Sequence, residues 1–313
     1  MVSADLTSIT DTLIRQESLP SGYADTVRDV ILPLAQHIQA LRQERQRPVI
    51  VGIHGAQGTG KSTLTLFLRR LLTDLYHVPT ASFSIDDLYL TRSERVQLAQ
   101  DQHPLLLTRG VPGTHDLKLG QQVIDQLTSA MPEDRTPVPA FDKAQDDRLP
   151  ESAWPRFKGR AEVLLMEGWC VGALPEASDE ALCKPVNELE GDEDPDKRWR
   201  LYVNQCLKGS YSDFFNQIDC LIMLKAPSME CVLEWRTLQE HKLRDKITAA
   251  PKKSDNEEGA PSRLMSDEQV ARFIMHYERI TRACLDEMPA RADVVIHVDP
   301  AHHFSEPLIR QRQ

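Results

Sequence analysis

The chain reads as an α/β protein: three layers, α/β/α, around a mostly parallel five-stranded sheet. Three observations predict this. Five short runs rich in Val, Ile and Leu, at 49–54, 80–85, 162–166, 220–225 and 293–298, alternate little with polar residues, as strands covered on both faces do. Helical stretches near 62–76, 116–129, 203–216 and 228–247 separate them, and alternating strands and helices imply right-handed crossovers and a parallel sheet. A glycine-rich turn joins the first apolar run to the first of these helices.

In chain order, residues 1–47 form a helical extension, broken at Pro20-Ser21-Gly22, with Val27, Val30, Ile31, Leu34, Ile38 and Leu41 at helical spacing. This predicts a helical layer packed on a core domain that spans 48–313. A last helix near 266–288 opens with Ser266-Asp267-Glu268-Gln269, a capping-box pattern. Two stretches read as mobile surface loops. Residues 175–198 are acidic and carry prolines, and 249–262 lack apolar periodicity. No internal repeat is visible.

The formal charge of −10 argues against nucleic acid as the main partner, because phosphate backbones select basic surfaces. Six cysteines occur without a C-x-x-C pair, which points to neither a zinc site nor a disulfide framework and suits a reducing compartment. No apolar run approaches bilayer-spanning length, and Met1-Val2-Ser3-Ala4-Asp5 has no basic n-region or apolar h-region. A cytoplasmic protein with no membrane contact is the expectation. The oligomeric state is not legible.

Gly55-Ala56-Gln57-Gly58-Thr59-Gly60-Lys61-Ser62 fits the Walker A pattern G-x-x-x-x-G-K-[ST] without a mismatch. A strand, a glycine-rich turn and a helix N-terminus cradle phosphates, because the backbone N–H groups turn inward and the helix dipole favours an anion. These residues, with Thr63, are the candidate nucleoside triphosphate site. Lys61 would reach the β- and γ-phosphates and Ser62 would ligate Mg²⁺. The second strand runs into Ile85-Asp86-Asp87-Leu88-Tyr89. Ligands of such sheets sit beyond the C-terminal strand ends, so Asp86 is the first candidate for the base that takes the proton of an acceptor hydroxyl, and Asp87 the alternative. The third strand ends at Glu167, a Walker-B-like carboxylate suited to Mg²⁺.

Arg109-Gly110-Val111-Pro112-Gly113-Thr114-His115-Asp116 packs an arginine and a histidine into a turn before a helix. Arg109 suits a carboxylate bidentately, and His115 joins it as a candidate for the acceptor site. For Asp116 a substrate contact and a helix cap are both open. Lys143, in Phe141-Asp142-Lys143, is a further candidate for neutralising substrate charge. Arg236 and Arg244 lie on the helix that leads to 249–262. That arrangement predicts a lid over about 232–265, with Arg236 stabilising the transferring phosphoryl group. No N-K-x-D base-reading sequence is present.

In this order, Gly55 to Ser62, Ser84 to Thr91, Arg109 to Leu117, Phe141-Asp142-Lys143, Glu167-Gly168-Trp169-Cys170-Val171-Gly172, Trp235 to Glu240 and Met265 to Glu268 resemble the phosphoribulokinase and uridine kinase-like P-loop kinases. The resemblance is closest to the D-glycerate 3-kinase family and runs from about 48 to 300. The first motif is shared by many NTPases; the R-G-x-P-G-T-H-D and E-G-W-C-x-G blocks are narrower. The resemblance implies a P-loop kinase fold and transfer of a phosphoryl group from ATP to D-glycerate with Mg²⁺. It carries Lys61 and Ser62 as ATP and metal ligands, Asp86 as base, Glu167 near the metal, Arg236 in the lid and the Arg109–Asp116 loop at the acceptor. The open alternatives are another small acceptor, such as a nucleoside, pantothenate or sugar acid, and a regulatory or assembly P-loop ATPase.

Overall fold

The structure is a computed structural model that describes residues 2–249 and 265–310. The loop expected at 249–262 therefore lies, beyond Ala249, outside the described residues, as does most of the second half of the expected lid.

The five expected strands are present as β1 (Val49–Gly55), β2 (Thr80–Ser84), β7 (Val163–Gly168), β8 (Cys220–Lys225) and β9 (Val294–His297). Four shorter strands lie between β2 and β7: β3 (Arg135–Pro137), β4 (Phe141–Asp142), β5 (Asp147–Arg148) and β6 (Arg156–Lys158). They pair β3 with β6 and β4 with β5, apart from the main sheet. A sixth strand joins the main sheet, β10 (Leu308–Ile309), antiparallel at its edge, giving the order β10-β9-β8-β1-β7-β2. Two exposed residues carry no periodicity, so β10 was invisible to pattern. The five long strands are mutually parallel, and all their C-terminal ends share one rim.

Side chains alternate across each strand, and here both faces are apolar. On one face Val49, Val51 and Ile53 of β1 pack with Leu165, Ile222 and Val294, beneath Leu13, Val30, Ile31, Leu34, Ile38, Phe67 and Leu68. The N-terminal helices, Val2–Gln16 and Leu32–Arg45, thus close this face together with the helix Lys61–Arg70. On the other face Ile50, Phe83, Leu164, Met166 and Met223 meet Val123, Leu127, Trp169, Tyr211 and Tyr277. Among the described residues no helix is long and apolar enough to cross a membrane.

Two expectations need correction. The helix Arg92–Asp101 was not anticipated. Its pattern is nearly all polar and Arg95 is its buried residue, although Thr91 and Glu94 form a capping box that the sequence displays. The segment 175–198 is not a loose surface loop. Leu182, Leu189, Glu190 and Asp194 are buried. Glu190 pairs with Arg200 and Arg279, and Asp194 accepts from the Trp199 and Arg200 backbone N–H groups. Its buried acids, Glu190 and Asp194, are neutralised by Arg200 and Arg279, which composition alone does not reveal.

Two buried histidines set an acid limit on this fold. His54, in β1, faces the Val171 carbonyl through Nδ1 at 3.1 Å, and burial pushes it down to about 3. Burial likewise lowers His115 to about 4. Both stay neutral when folded, whereas the unfolded chain takes up protons below about 6.5. Stability is therefore unaffected by them above that value and falls as pH drops from 6.5 toward 4. Each contributes a loss of about 2 kcal/mol by pH 5. The melting temperature of His54→Gln should fall less steeply from pH 7 to 5 than that of the wild type. Parallel slopes would contradict the assignment.

Candidate active site

The rim where the parallel strands end holds a cavity of about 370 Å³. It is lined by Gln57, Gly58, Lys61, Ser62, Asp86, Tyr89, Arg109, Lys143, Trp169, Arg236, Gln239, Glu240, Phe273 and Tyr277. Its floor is the loop after β1. Gly60 (φ 87°) precedes the helix Lys61–Arg70, and no side chain caps that helix, so its first-turn N–H groups are available to an anion. Gly55 ends β1, Ala56 and Thr59 are buried, and Thr59 Oγ1 ties the loop by donating to the Ala56 carbonyl at 2.8 Å. Gly58 (φ 83°) is required twice: the left-handed backbone favours glycine, and a Cβ there would lie 2.6 Å from Trp235 Cβ. Thr63 follows in the first turn, half-buried.

The strand register sets the carboxylates beside this floor. Glu167 is level with both Ile53 of β1 and Ser84 of β2. Ser62 Oγ donates to Glu167 Oε1 at 2.9 Å, while Glu167 Oε2 is buried with no partner. Two oxygen ligands side by side, one unsatisfied, fit a hard cation that completes its shell with phosphate and water. Among the described residues no cluster of three His, Cys, Asp or Glu forms an all-protein cation cage, and Mg²⁺ in nucleotide sites does not need one.

Two residues beyond β2, Asp86 accepts from Tyr89 Oη at 2.9 Å and from Lys143 Nζ at 2.8 Å. Burial alone would raise its pKa, but Lys143 and Lys61 outweigh burial and hold it well below the usual carboxylate range. Asp87 is pushed the other way by burial, up to about 6, against hydrogen bonds from the Ser84 and Phe141 backbone N–H groups. Both Asp87 oxygens are thus used by backbone, and Asp87 is not among the residues lining the cavity. Asp86 faces the cavity and is held by side chains, which can move.

No family model matches the chain. It is 34% identical over 242 residues to the uncharacterized kinase mug58 of Schizosaccharomyces pombe, covering 74% of this chain and 79% of that protein. It is 30% identical over 251 residues to the chloroplastic D-glycerate 3-kinase of Arabidopsis thaliana, covering 78% of this chain but about half of that protein, 49%. A solved D-glycerate 3-kinase from Cryptococcus neoformans var. grubii superposes with a TM-score of 0.70 at 25% identity, over 90% of this chain and 99% of that one. The chain belongs to the same kinase family as mug58, and its likeness extends to the D-glycerate 3-kinases. It is an ATP-dependent phosphotransferase with an alcohol group as acceptor.

In this kinase the narrow R-G-x-P-G-T-H-D and E-G-W-C-x-G blocks meet. Trp169 Nε1 donates to the Gly110 carbonyl at 3.0 Å, and Tyr277 Oη donates to the Arg109 carbonyl at 3.0 Å. Gly110 (φ 142°) must be glycine, because a Cβ would fall 2.2 Å from Tyr277 Oη. The Arg109 backbone is thereby fixed and its side chain reaches the cavity. His115 stands behind the cavity wall. Its ring stacks on Tyr89 at 4.6 Å and Nδ1 meets Tyr211 Oη at 2.5 Å. Asp116 caps the helix Leu117–Ser129 through the Leu119 N–H and pairs with Arg148. Neither His115 nor Asp116 lines the cavity; His115 packs against Tyr89, which does, and Asp116 holds Arg148 of the β4–β5 hairpin.

Arg236 lines the cavity, 2.8 Å from Glu240 and with its guanidinium 5.9 Å from the Phe273 ring centre. The first part of the expected lid is built into the body of the kinase. Val232, Trp235 and Glu240 are buried, and Trp235 Nε1 donates to the Pro300 carbonyl. Arg244 donates to the Met265 carbonyl rather than facing the cavity. Glu240 escaped the sequence reading. Its Oε1 accepts from the Met265 N–H while its other oxygen holds Arg236, so it ties the helix Met229–Ala249 to the residue that precedes the cap of the helix Asp267–Glu287. Asp146, Arg95, Arg148 and Tyr89 were also missed, because each gains meaning through a partner distant in sequence or through its place at the cavity.

Proposed function

We propose that the kinase transfers the γ-phosphoryl group of ATP to a hydroxyl of D-glycerate, yielding phosphoglycerate and ADP. The observation that carries this reading is the joint lining of one cavity by the phosphate cradle, a base and a surplus of positive charge. Among the lining side chains Lys61, Arg109, Lys143 and Arg236 oppose Asp86 and Glu240, with Glu167 and Asp146 behind them against Ser62 and Arg109. Such a site selects anions at both ends, phosphates at the cradle and a carboxylate at Arg109.

In this reading Lys61 and the loop N–H groups bind the β- and γ-phosphates. Ser62 and Glu167 would hold Mg²⁺, which, when bound, neutralises charge on the phosphate oxygens. Asp86 orients the acceptor hydroxyl. The hydroxyl oxygen forms a bond to the γ-phosphorus as the bond to the ADP oxygen breaks, and its proton passes to Asp86. A carboxylate held below its usual range is ionised throughout the neutral range. It accepts the proton late, once bonding to phosphorus has acidified the hydroxyl. Arg236, set beside the cradle, meets charge that develops on the phosphoryl oxygens.

The test is ADP release with ATP and a panel of D-glycerate, glycerol, uridine and pantothenate, with and without Mg²⁺, the product being mapped by NMR. Strong stimulation by D-glycerate that requires Mg²⁺ is expected. Stimulation by uridine or pantothenate alone would reassign the acceptor. Turnover indifferent to every acceptor would point to a regulatory ATPase.

A further inference from the structure

The geometry points to Asp146 as the positioning residue that aims Arg109 and so sets the preference for acceptors bearing a carboxylate; this rests on the reading of the acceptor site above. Asp146 sits in the turn between β4 and β5, in the left-handed region (φ 58°). Its carboxylate is shared by three arginines. It hydrogen-bonds Arg109 Nη1, lies 3.1 Å from Arg95 and 3.5 Å from Arg92.

Arg95 makes this arrangement rigid. It is 1% exposed, and its guanidinium donates to the Leu90, Leu107 and Asp146 carbonyls at 3.2, 2.8 and 2.6 Å. One side chain therefore ties together the segment after Asp86, the segment before Arg109 and the hairpin turn. Drawing Asp146 away would leave a buried guanidinium without its carboxylate, a costly state. An incoming carboxylate therefore does not displace Asp146. It takes donors of Arg109 that Asp146 leaves, on a fork already oriented. The Phe141 ring, 5.6 Å from the Arg109 guanidinium, limits its swing on a second side. Arg148 anchors the far strand of the hairpin to Asp116 and Glu94. The hairpin that aims Arg109 also carries Lys143, the partner of Asp86, so both ends of the acceptor are referenced to one element.

The experiment compares D-glycerate with glycerol, which keeps the hydroxyls and lacks the carboxylate, in the wild type and in Asp146→Asn. Asparagine is nearly isosteric and also tolerates the left-handed backbone. The KM for D-glycerate should rise about 10–100-fold, the range for a lost charge-assisted contact. The KM for ATP and the kcat/KM for glycerol should hold, so the glycerate-to-glycerol preference falls by the same factor. In Arg109→Ala the Asp146→Asn change should add nothing further to that loss, as expected for residues acting through one contact. A preference that survives Asp146→Asn, or equal losses for glycerate, glycerol and ATP, would overturn the inference while leaving the proposed function standing. A wild type with no preference for glycerate would overturn both. If Asp146→Asn does not fold, Phe141→Leu carries the test. It leaves every charge in place and should lower the preference in the same direction by a smaller factor, and an unchanged preference there would overturn the inference.

Discussion

Asp86→Asn is expected to lower kcat about 10²–10⁴-fold, the usual range for loss of a general base, while ATP binding is kept. Asparagine preserves size and can still accept from Tyr89 Oη, but it cannot take the hydroxyl proton. ATP affinity should survive because Asp86 lies beyond β2 and touches Tyr89 and Lys143, not the loop of Gly55–Ser62. A fluorescent-nucleotide titration beside steady-state kinetics separates the two effects. A near-normal kcat would remove Asp86 from the mechanism and return attention to Asp87. The pH profile supplies a second check with a defined sign. Lys143 and Lys61 hold Asp86 below the ordinary carboxylate value of about 3.9. The acid limb of kcat/KM, which reports the free enzyme, should therefore lie below that value. Lys143→Met removes a neighbouring positive charge, so it raises the Asp86 pKa and moves the limb to higher pH. A limb that stays in place or moves down would contradict Asp86 as the titrating base.

Lys61→Ala should be the other severe lesion, of a different kind. It removes a charge from the phosphates in both the ground state and the transition state. ATP affinity and kcat should both fall, with kcat lower by about 10²–10³-fold, as when one preorganised donor to developing charge is lost. The fold should be intact, because Lys61 faces the cavity and the apolar face of its helix, Leu64, Phe67 and Leu68, is unchanged. Circular dichroism and melting temperature verify that, and a nucleotide titration reads the affinity. Loss of turnover with ATP affinity unaltered would show that Lys61 acts only on the transition state.

The sequence by itself determined the elements whose signal is local. Five apolar runs became the five parallel strands of the main sheet, because strands buried on both faces must be apolar throughout. The Walker A stretch became the turn between β1 and the uncapped helix, because its glycines and its lysine-serine pair state a backbone geometry and a chemistry within eight consecutive residues. Asp86 and Glu167 were readable for a related reason. Parallel strands send all their C-terminal ends to one rim, so an acid at a strand end is placed there by topology before any contact is known.

Tertiary structure decided everything that depends on a partner far away in the chain. The acids of 175–198 read as solvated until Arg200 and Arg279 arrive to pair with Glu190. His115 was a candidate for the acceptor site and Asp116 was open between a substrate contact and a helix cap; in the fold His115 stacks on Tyr89, and Asp116 caps its helix and pairs with Arg148. Glu240 and Arg95 look like ordinary charged residues on polar helices, yet folding buries both against specific backbone and side-chain partners. Lys143 and Asp146 lie three residues apart in sequence, yet the β4–β5 hairpin assigns one to Asp86 and the other to Arg109. The physical reason is the same throughout. Backbone periodicity and turn chemistry are encoded over a few residues, whereas the pairing of a buried charge is a property of space, fixed only when distant segments close around it.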